Sequence, residues 1–101
     1  MFIYNVTTKV NWSIHDAWLE WMQQQHIPAL IETNCFVRSQ LLKLHEEDDE
    51  EGPTYVIQYF AESKALYNRY IELYADQFRE EYAGKWRDNF IAFRTLLEVV
   101  E

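Results

Sequence analysis

A histidine and a glutamine just ahead of a helical proline are the residues of this sequence best placed to do chemistry. Gln25 and His26 precede Pro28 by three and two positions. Imidazole titrates near neutrality, so His26 is a candidate general base or metal ligand. Pro28 also frees the carbonyl group of Gln24 as an acceptor, because proline cannot donate to it. A structural histidine that caps helix carbonyls or packs on an indole has the same signature, and both interpretations stay open.

Arginines and amides on predicted strands form the second group of candidates. Arg38 and Arg94 would clamp an anionic ligand if both faced one cavity, and an interface ion pair of Arg94 with Glu98 is the alternative. Asn5 and Gln58 would add amide donors and acceptors to the same face. We therefore predict a ligand site built from His26, Gln25, Asn5, Arg38, Gln58 and Arg94.

Signatures of metal and cofactor chemistry are missing from the sequence. His15, His26 and His45 lack metal-ligand spacing, and the acidic run 46–51 lacks the glycine-centred pattern of a calcium loop. The chain contains no glycine-rich nucleotide motif, nucleophile elbow or zinc-protease motif. Cys35 has no identifiable base beside it and is typical of a small buried residue. We predict no metal and no cofactor.

Length and charge narrow the class of protein. The 101 residues predict a single domain, 1–101. Nine basic against seventeen acidic residues give a net charge of −8, which disfavours nucleic acid and anionic membranes as partners. The sequence shows no signal peptide and no apolar run of membrane-spanning length. With one cysteine and no intrachain disulfide, a cytoplasmic location is expected.

Two helical and four alternating segments must position the candidate residues. The strands are predicted over Phe2–Val10, Phe36–His45, Thr54–Ala61 and Asn89–Val100. Ser13 is the expected N-cap of helix one, which runs to Thr33 with a kink at 25–27. Ser63 caps a second helix that ends near Gly84, and the acidic run is an exposed hairpin tip. This order predicts an α+β, ferredoxin-like βαββαβ fold, with a four-stranded antiparallel sheet and both helices on one face.

The sheet face away from the helices is predicted to mix apolar and polar residues. It is expected to carry Ile3, Asn5, Thr7, Arg38, Gln40, Leu42, Val56, Gln58, Phe60, Ala92, Arg94 and Leu96. Such a face is too apolar to remain in water, so we expect a homodimer that pairs two sheet faces. The ligand site would lie between this face and the disturbed end of helix one.

Four segments resemble a family already known. IYNVT at the start, WLEWM and HIP in the first helix, and FRTLLEVV at the end are similar to a small family of uncharacterised bacterial proteins. That family belongs to the dimeric α/β-barrel superfamily of ferredoxin-like domains. The resemblance implies the fold and a homodimer, and it implies no established activity. The wider superfamily includes cofactor-free quinol oxygenases, lactone isomerases, haem-dependent enzymes and ligand-sensing domains.

Two functions agree with these residues. One is a non-catalytic homodimeric module that binds a small molecule or a protein partner. The alternative is a cofactor-independent oxygenase or isomerase that acts on an aromatic or cyclic substrate, with His26, Asn5 and Arg94 beside the cavity. Fold-level analogy does not choose between them, so enzymatic activity is left open at this point.

Overall fold

A four-stranded antiparallel sheet is the base on which the rest of this computed structural model, covering residues 1–101, is arranged. Its strands are β1 (Phe2–Val10), β2 (Arg38–Lys43), β3 (Thr54–Ala61) and β4 (Phe90–Glu98), in the spatial order β2-β3-β1-β4. Strands β1 and β3 have the predicted bounds, because alternating residues and flanking turn residues define both ends. Strands β2 and β4 are shorter than predicted.

The helical layer has more segments than the two predicted helices. It consists of α1 (His15–Trp21), a π-helical segment (Met22–His26), α2 (Ile27–Glu32), α3 (Lys64–Leu73) and α4 (Ala75–Trp86). All of it packs on one face of the sheet, around a core rich in tryptophan and tyrosine. No helix has the length and apolar character that a bilayer span requires.

The first helix begins and bends differently from the prediction. Ser13 is not its cap: a turn at 12–14 leads into α1, and Ile14 stands at the N-cap position without a side-chain bond. Pro28 does not break the helix. The turn before it widens instead, and the amide of Ile27 donates to the carbonyl of Met22, five residues back. This π geometry lets the helix continue through a residue that has no amide donor.

The second helix is capped as predicted but is interrupted. The Ser63 hydroxyl accepts a hydrogen bond from the amide of Leu66 at 3.2 Å, which confirms the N-cap. At Tyr74 the backbone departs from helical geometry, with φ −128°, and α4 starts at the next residue. No proline or glycine marks this break. The tyrosines Tyr67, Tyr70 and Tyr74 pack in or against the core, as expected for their helical spacing.

The acidic loop 46–51 is folded against the start of the chain rather than extending freely. The Trp12 indole nitrogen donates to the carbonyl of Asp49 at 2.8 Å, and the Lys9 ammonium donates to that of Asp48 at 3.1 Å. Gly52 lies so close to β1 that an added Cβ would overlap the carbonyl oxygen of Val10. The loop is exposed, as predicted, and these contacts hold its backbone against the end of β1.

The phase of β4 corrects the predicted open face. Arg94 is opposite Val6 and Ala92 is opposite Thr8, so the even-numbered residues of β4 share the helix side of the sheet with those of β1. Placing Ala92, Arg94 and Leu96 on the open face was therefore wrong. The β4 residues on that face are Ile91, Phe93, Thr95 and Leu97. For β1, β2 and β3 the predicted phase is confirmed by the register.

Candidate functional site

The best-formed cavity lies between the helical layer and the sheet, and we call it the helix-side cavity. The space at this site is about 430 Å³ only when the open solvent at its mouth is counted, and about 30 Å³ of it admits the centre of a water molecule. Ten of the fourteen residues that line it are hydrophobic. They are Tyr4, Val6, Thr8, Met22, His26, Leu30, Ile57, Tyr59, Tyr70, Phe78, Arg79, Tyr82, Ala92 and Arg94. A pocket with aromatic walls and a few polar groups is the usual form of a small-molecule site.

His26 enters this cavity from the last position of the π-helical segment. Its ring stacks on Trp21, with centroids 4.7 Å apart, and meets the edges of Phe78 and Tyr82. Its Nδ1 atom is buried without a hydrogen-bond partner. Burial, and then the positive charge of Arg94, lower the pKa of His26 from 6.5 to about 4. The imidazole is thus neutral at physiological pH.

Two arginines reach the same cavity from different elements. Arg79 extends from α4 and donates to the Tyr4 hydroxyl at 3.2 Å, while its Nε atom is buried without a partner. Arg94 extends from β4 opposite Val6. Neither guanidinium lies within 4.0 Å of a carboxylate oxygen, and no acidic side chain lines the cavity. The site therefore concentrates positive charge in a chain whose net charge is −8.

A chain of hydrogen bonds supports the wall of the cavity. The Trp18 indole donates to the Tyr82 hydroxyl at 2.7 Å, and that hydroxyl is 3.4 Å from the hydroxyl of Thr8. Because an indole only donates, the Tyr82 proton is free to go to Thr8. Burial raises the pKa of Tyr82, and it raises that of Tyr70 as well. Both phenols therefore stay neutral.

The structure divides the predicted site residues between two sides of the sheet. His26 and Arg94 meet in the helix-side cavity. Gln25 lies instead in a shallow groove beside Lys85 and Trp86. Asn5, Gln58 and Arg38 lie on the opposite, open face, so the six residues do not form one site as predicted. The reason is the inverted phase of β4, together with a disturbed helix end that faces only the helix side.

On the open face these residues form their own contacts. The Gln58 amide donates to the Asn5 side-chain oxygen at 3.2 Å, and the Asn5 amide lies 3.4 Å from the Thr7 hydroxyl. The Arg38 guanidinium lies over the ring of Phe60, 3.6 Å from its centroid. Asn5, Gln58 and Arg38 could therefore contact only a ligand that binds on the open face, not one in the helix-side cavity.

Sequence reasoning missed Arg79 as a site residue. Its signal was present: Arg79 follows Ala75 by four positions and precedes Tyr82 by three, and both are buried. Spacings of three and four place side chains on one helical face, so an arginine there had to point inward. The tyrosines were interpreted only as core, although Tyr70 and Tyr82 also line the cavity. No three histidine, cysteine or acidic side chains cluster as metal ligands.

Comparison with solved structures shows what the fold is similar to. Two dimeric ferredoxin-like proteins from uncultured marine organisms superpose with TM-scores of 0.79 and 0.71, at 12% and 14% identity. The alignments cover 99% and 100% of this chain, and 95% and 96% of those chains. A mutant of SnoaB, a cofactor-independent oxygenase from Streptomyces nogalater, gives 0.67 at 17% identity, over 99% and 94% of the chains. At these identities the likeness concerns the fold alone.

Sequence comparison identifies the family. No protein of curated function matches the chain. A family model described as a domain of unknown function, DUF4286, matches residues 1–100. The match spans nearly the full chain and agrees with the resemblance of the four segments noted in the sequence. This chain therefore belongs to the DUF4286 family, and its fold is similar to that of these ferredoxin-like proteins.

Proposed function

We propose that this domain binds a small anionic molecule with an aromatic or cyclic body in the helix-side cavity. One observation carries the proposal: Arg79 and Arg94 both line a mainly aromatic cavity, and neither has a carboxylate partner. Arg94 is exposed and lines the same cavity. Arg79 is half-buried, and a charged group that is partly removed from water needs an opposite charge or strong hydrogen bonds. An anionic ligand supplies both, and a guanidinium binds a carboxylate through two parallel hydrogen bonds.

The aromatic walls supply the second part of the recognition. Phe78, Tyr4 and Tyr70 face the cavity together with aliphatic residues, so most of a bound ring would contact apolar surface. Aromatic rings prefer edge-to-face or offset contacts with other rings. The walls therefore favour a flat body, and the arginines favour an acidic substituent on it.

Binding of benzoate and 2-naphthoate tests this function. Purified protein is titrated calorimetrically, and its melting temperature is followed with each acid, since a ligand of the native state raises it. Arg94→Gln and Arg79→Gln should each weaken binding at least about tenfold, because a charged hydrogen bond is lost. Arg69→Gln, on the exposed surface of α3, is the matched control and should bind like the parent. Equal affinity in all four proteins would contradict the proposal.

A cofactor-independent oxygenase is the second candidate function. It is favoured by a neutral imidazole beside two guanidinium groups, an arrangement that can accept a proton and stabilise the anion formed. The fold of this chain is similar to that of SnoaB, a cofactor-independent oxygenase.

Dioxygen uptake with 1,4-dihydroxy-2-naphthoate tests this activity. A protein-dependent rate that falls about a hundredfold in His26→Gln would support it, since a general base contributes at least that much. A rate equal to that of buffer alone would contradict the oxygenase and leave the binding function in place.

We also propose that the open sheet face binds a second copy of the chain. Ile91, Phe93 and Leu97 are exposed there, and a row of polar residues crosses the face in register. That row consists of Gln40, Gln58, Asn5 and Thr95. An apolar face with a central polar row suits pairing with itself, because each copy then offers partners for the other's amides. The dimeric neighbours of this fold agree with such an assembly.

Sedimentation velocity at micromolar concentration tests the dimer. Phe93→Glu should shift the species from dimer to monomer, because a charge would be buried without a partner. Leu73→Glu is the matched control: Leu73 lies on α3 and is as exposed as Phe93, at 60% each. A monomeric parent protein, or equal behaviour of the two variants, would refute this interface.

A cytoplasmic location stays a proposal from the sequence. Cys35 is the only cysteine and is buried, which fits a compartment where disulfides do not form. Cell fractionation with an antibody against the native chain tests it, and recovery from the secreted fraction would contradict it.

A further inference from the structure

Two residues that line the helix-side cavity have buried polar atoms without a hydrogen-bond partner. These atoms indicate which group, besides the anionic one, a ligand would carry. Three buried side-chain atoms in the whole chain lack a hydrogen-bond partner. Two of them, Arg79 Nε and His26 Nδ1, belong to residues that line this cavity, and the third belongs to Trp86, which does not. Buried polar groups are normally paired, so two exceptions in one cavity point to a ligand that pairs both.

The two atoms require different partners. A guanidinium only donates, so Arg79 needs an acceptor, which the anionic group of the proposed ligand supplies. Neutral imidazole carries one donor and one acceptor nitrogen. The positive charge of Arg94 acts on His26 and favours the tautomer in which the unpaired Nδ1 keeps its lone pair. The ligand group beside His26 must therefore donate.

His26 is also the only basic acceptor in the cavity. The lining includes no aspartate or glutamate, and its remaining polar side chains are hydroxyl groups and guanidinium groups. A ligand hydroxyl placed there has one nitrogen acceptor, on an imidazole that stacks on Trp21. The arrangement discriminates between ligands, because an analogue without the hydroxyl leaves a buried acceptor unpaired.

We propose that the ligand is a hydroxylated aromatic acid, with its carboxylate at Arg79 and Arg94 and its hydroxyl group donating to His26. This proposal rests on the function proposed above and adds the second substituent. It separates the ligand from simple aromatic acids, which satisfy only the arginines, and from neutral phenols, which satisfy only the histidine.

Matched ligands test the hydroxyl group. Benzoate, its three monohydroxy isomers and the corresponding methoxy compounds are titrated calorimetrically into the parent protein. At least one hydroxy isomer should bind about tenfold tighter than benzoate, and its methoxy analogue should lose that gain because it cannot donate. Phenol without the carboxylate should bind at least about tenfold more weakly than the preferred acid.

Two variants assign the effect to His26. His26→Phe keeps a ring against Trp21 but removes the acceptor, so the preference for the hydroxy acid should fall to about twofold or less. His26→Gln keeps an acceptor oxygen and should retain more of the preference than His26→Phe. Because the native imidazole is neutral and half-buried, both replacements remove no charge and should fold.

The outcomes separate this proposal from the one it rests on. If benzoate binds in an Arg94-dependent way but no hydroxy isomer gains affinity, the hydroxylated class is refuted and the anion site stands. A gain that survives in His26→Phe refutes the role of His26. If none of the acids binds, or binding ignores Arg94→Gln, the proposed function itself fails.

Discussion

The buried imidazole of His26 should make the stability of this protein fall between pH 7 and pH 5. The pKa of His26 is lowered from 6.5 to about 4, first by burial and then by Arg94. Between these values the unfolded chain binds a proton that the folded chain does not, so the free energy of unfolding decreases as pH falls. A shift from 6.5 to about 4 corresponds to a loss of about 2 kcal/mol at pH 5 and about 3 kcal/mol below pH 4. Above pH 7 the imidazole is neutral in both states and contributes no pH dependence.

Urea unfolding of the parent and of His26→Gln at pH 7.0 and 5.0 measures this contribution. Protein concentration is held constant, because the stability of an assembling protein depends on it. The carboxylates titrate in both proteins, so their effect cancels when the free energy of unfolding of one protein is subtracted from that of the other. From pH 7.0 to pH 5.0 the parent should lose about 2 kcal/mol more of this free energy than the variant. Arg94→Gln removes the smaller cause of the shift, so it should reduce the pH dependence without abolishing it. A difference that stays constant within about 0.5 kcal/mol would refute a desolvated imidazole in this cavity.

Four further changes probe the scaffold. Gly52→Ala should lower the free energy of unfolding, measured by urea titration, by at least about 2 kcal/mol, because the added Cβ would overlap the backbone of β1. Gly84→Ala should raise it by about 0.5–1 kcal/mol in the same assay, because the space around Gly84 is open and alanine favours the helix. Tyr82→Phe should cost about 1–3 kcal/mol in the same assay, since the Trp18 indole N–H loses its buried acceptor. Replacing loop 46–51 with Asn-Gly should lower the melting temperature in a thermal scan, and an unchanged or higher value would show that its contacts contribute nothing.

Local sequence patterns were sufficient to predict the order of strands and helices. The wrong phase predicted for β4 shows where such patterns are not sufficient. Strand β1 is recognisable because its alternation is unambiguous. In β4 both alternating sets contain large apolar residues, so alternation alone does not decide which set faces the helices, and the prediction placed the set with Arg94 on the open face. The register with β1, a long-range property, decides otherwise and places Phe93 on the open face. The more apolar side of β4 faces away from the core of its own chain, which no rule based on a lone chain would predict.

The candidate site was predictable only where local sequence patterns mark it. Pro28 correctly marked the end of the first helix as irregular, and the π-helical turn there is what positions His26. The partner of His26 across the cavity depends on where α4 begins, and the break at Tyr74 has no proline or glycine to announce it. The spacing of Arg79 from Ala75 and Tyr82 indicated a side chain on the buried face, but the start of α4 itself could not be predicted.

Neighbouring residues of β4 lie on opposite sides of the sheet and have different surroundings. Arg94 points to the helix-side cavity, and Phe93 and Thr95 point to the open face on either side of it. Adjacent residues of a strand share peptide bonds, so their side chains cannot be repositioned independently. Covering the open face with a second copy would hold the backbone on both sides of Arg94 and so fix the point from which its side chain extends toward the proposed anion site. A well-fixed arginine loses less conformational entropy on binding. In the proposed dimer, the apolar surface that faces away from the core would therefore support the proposed site on the opposite side of the same strand.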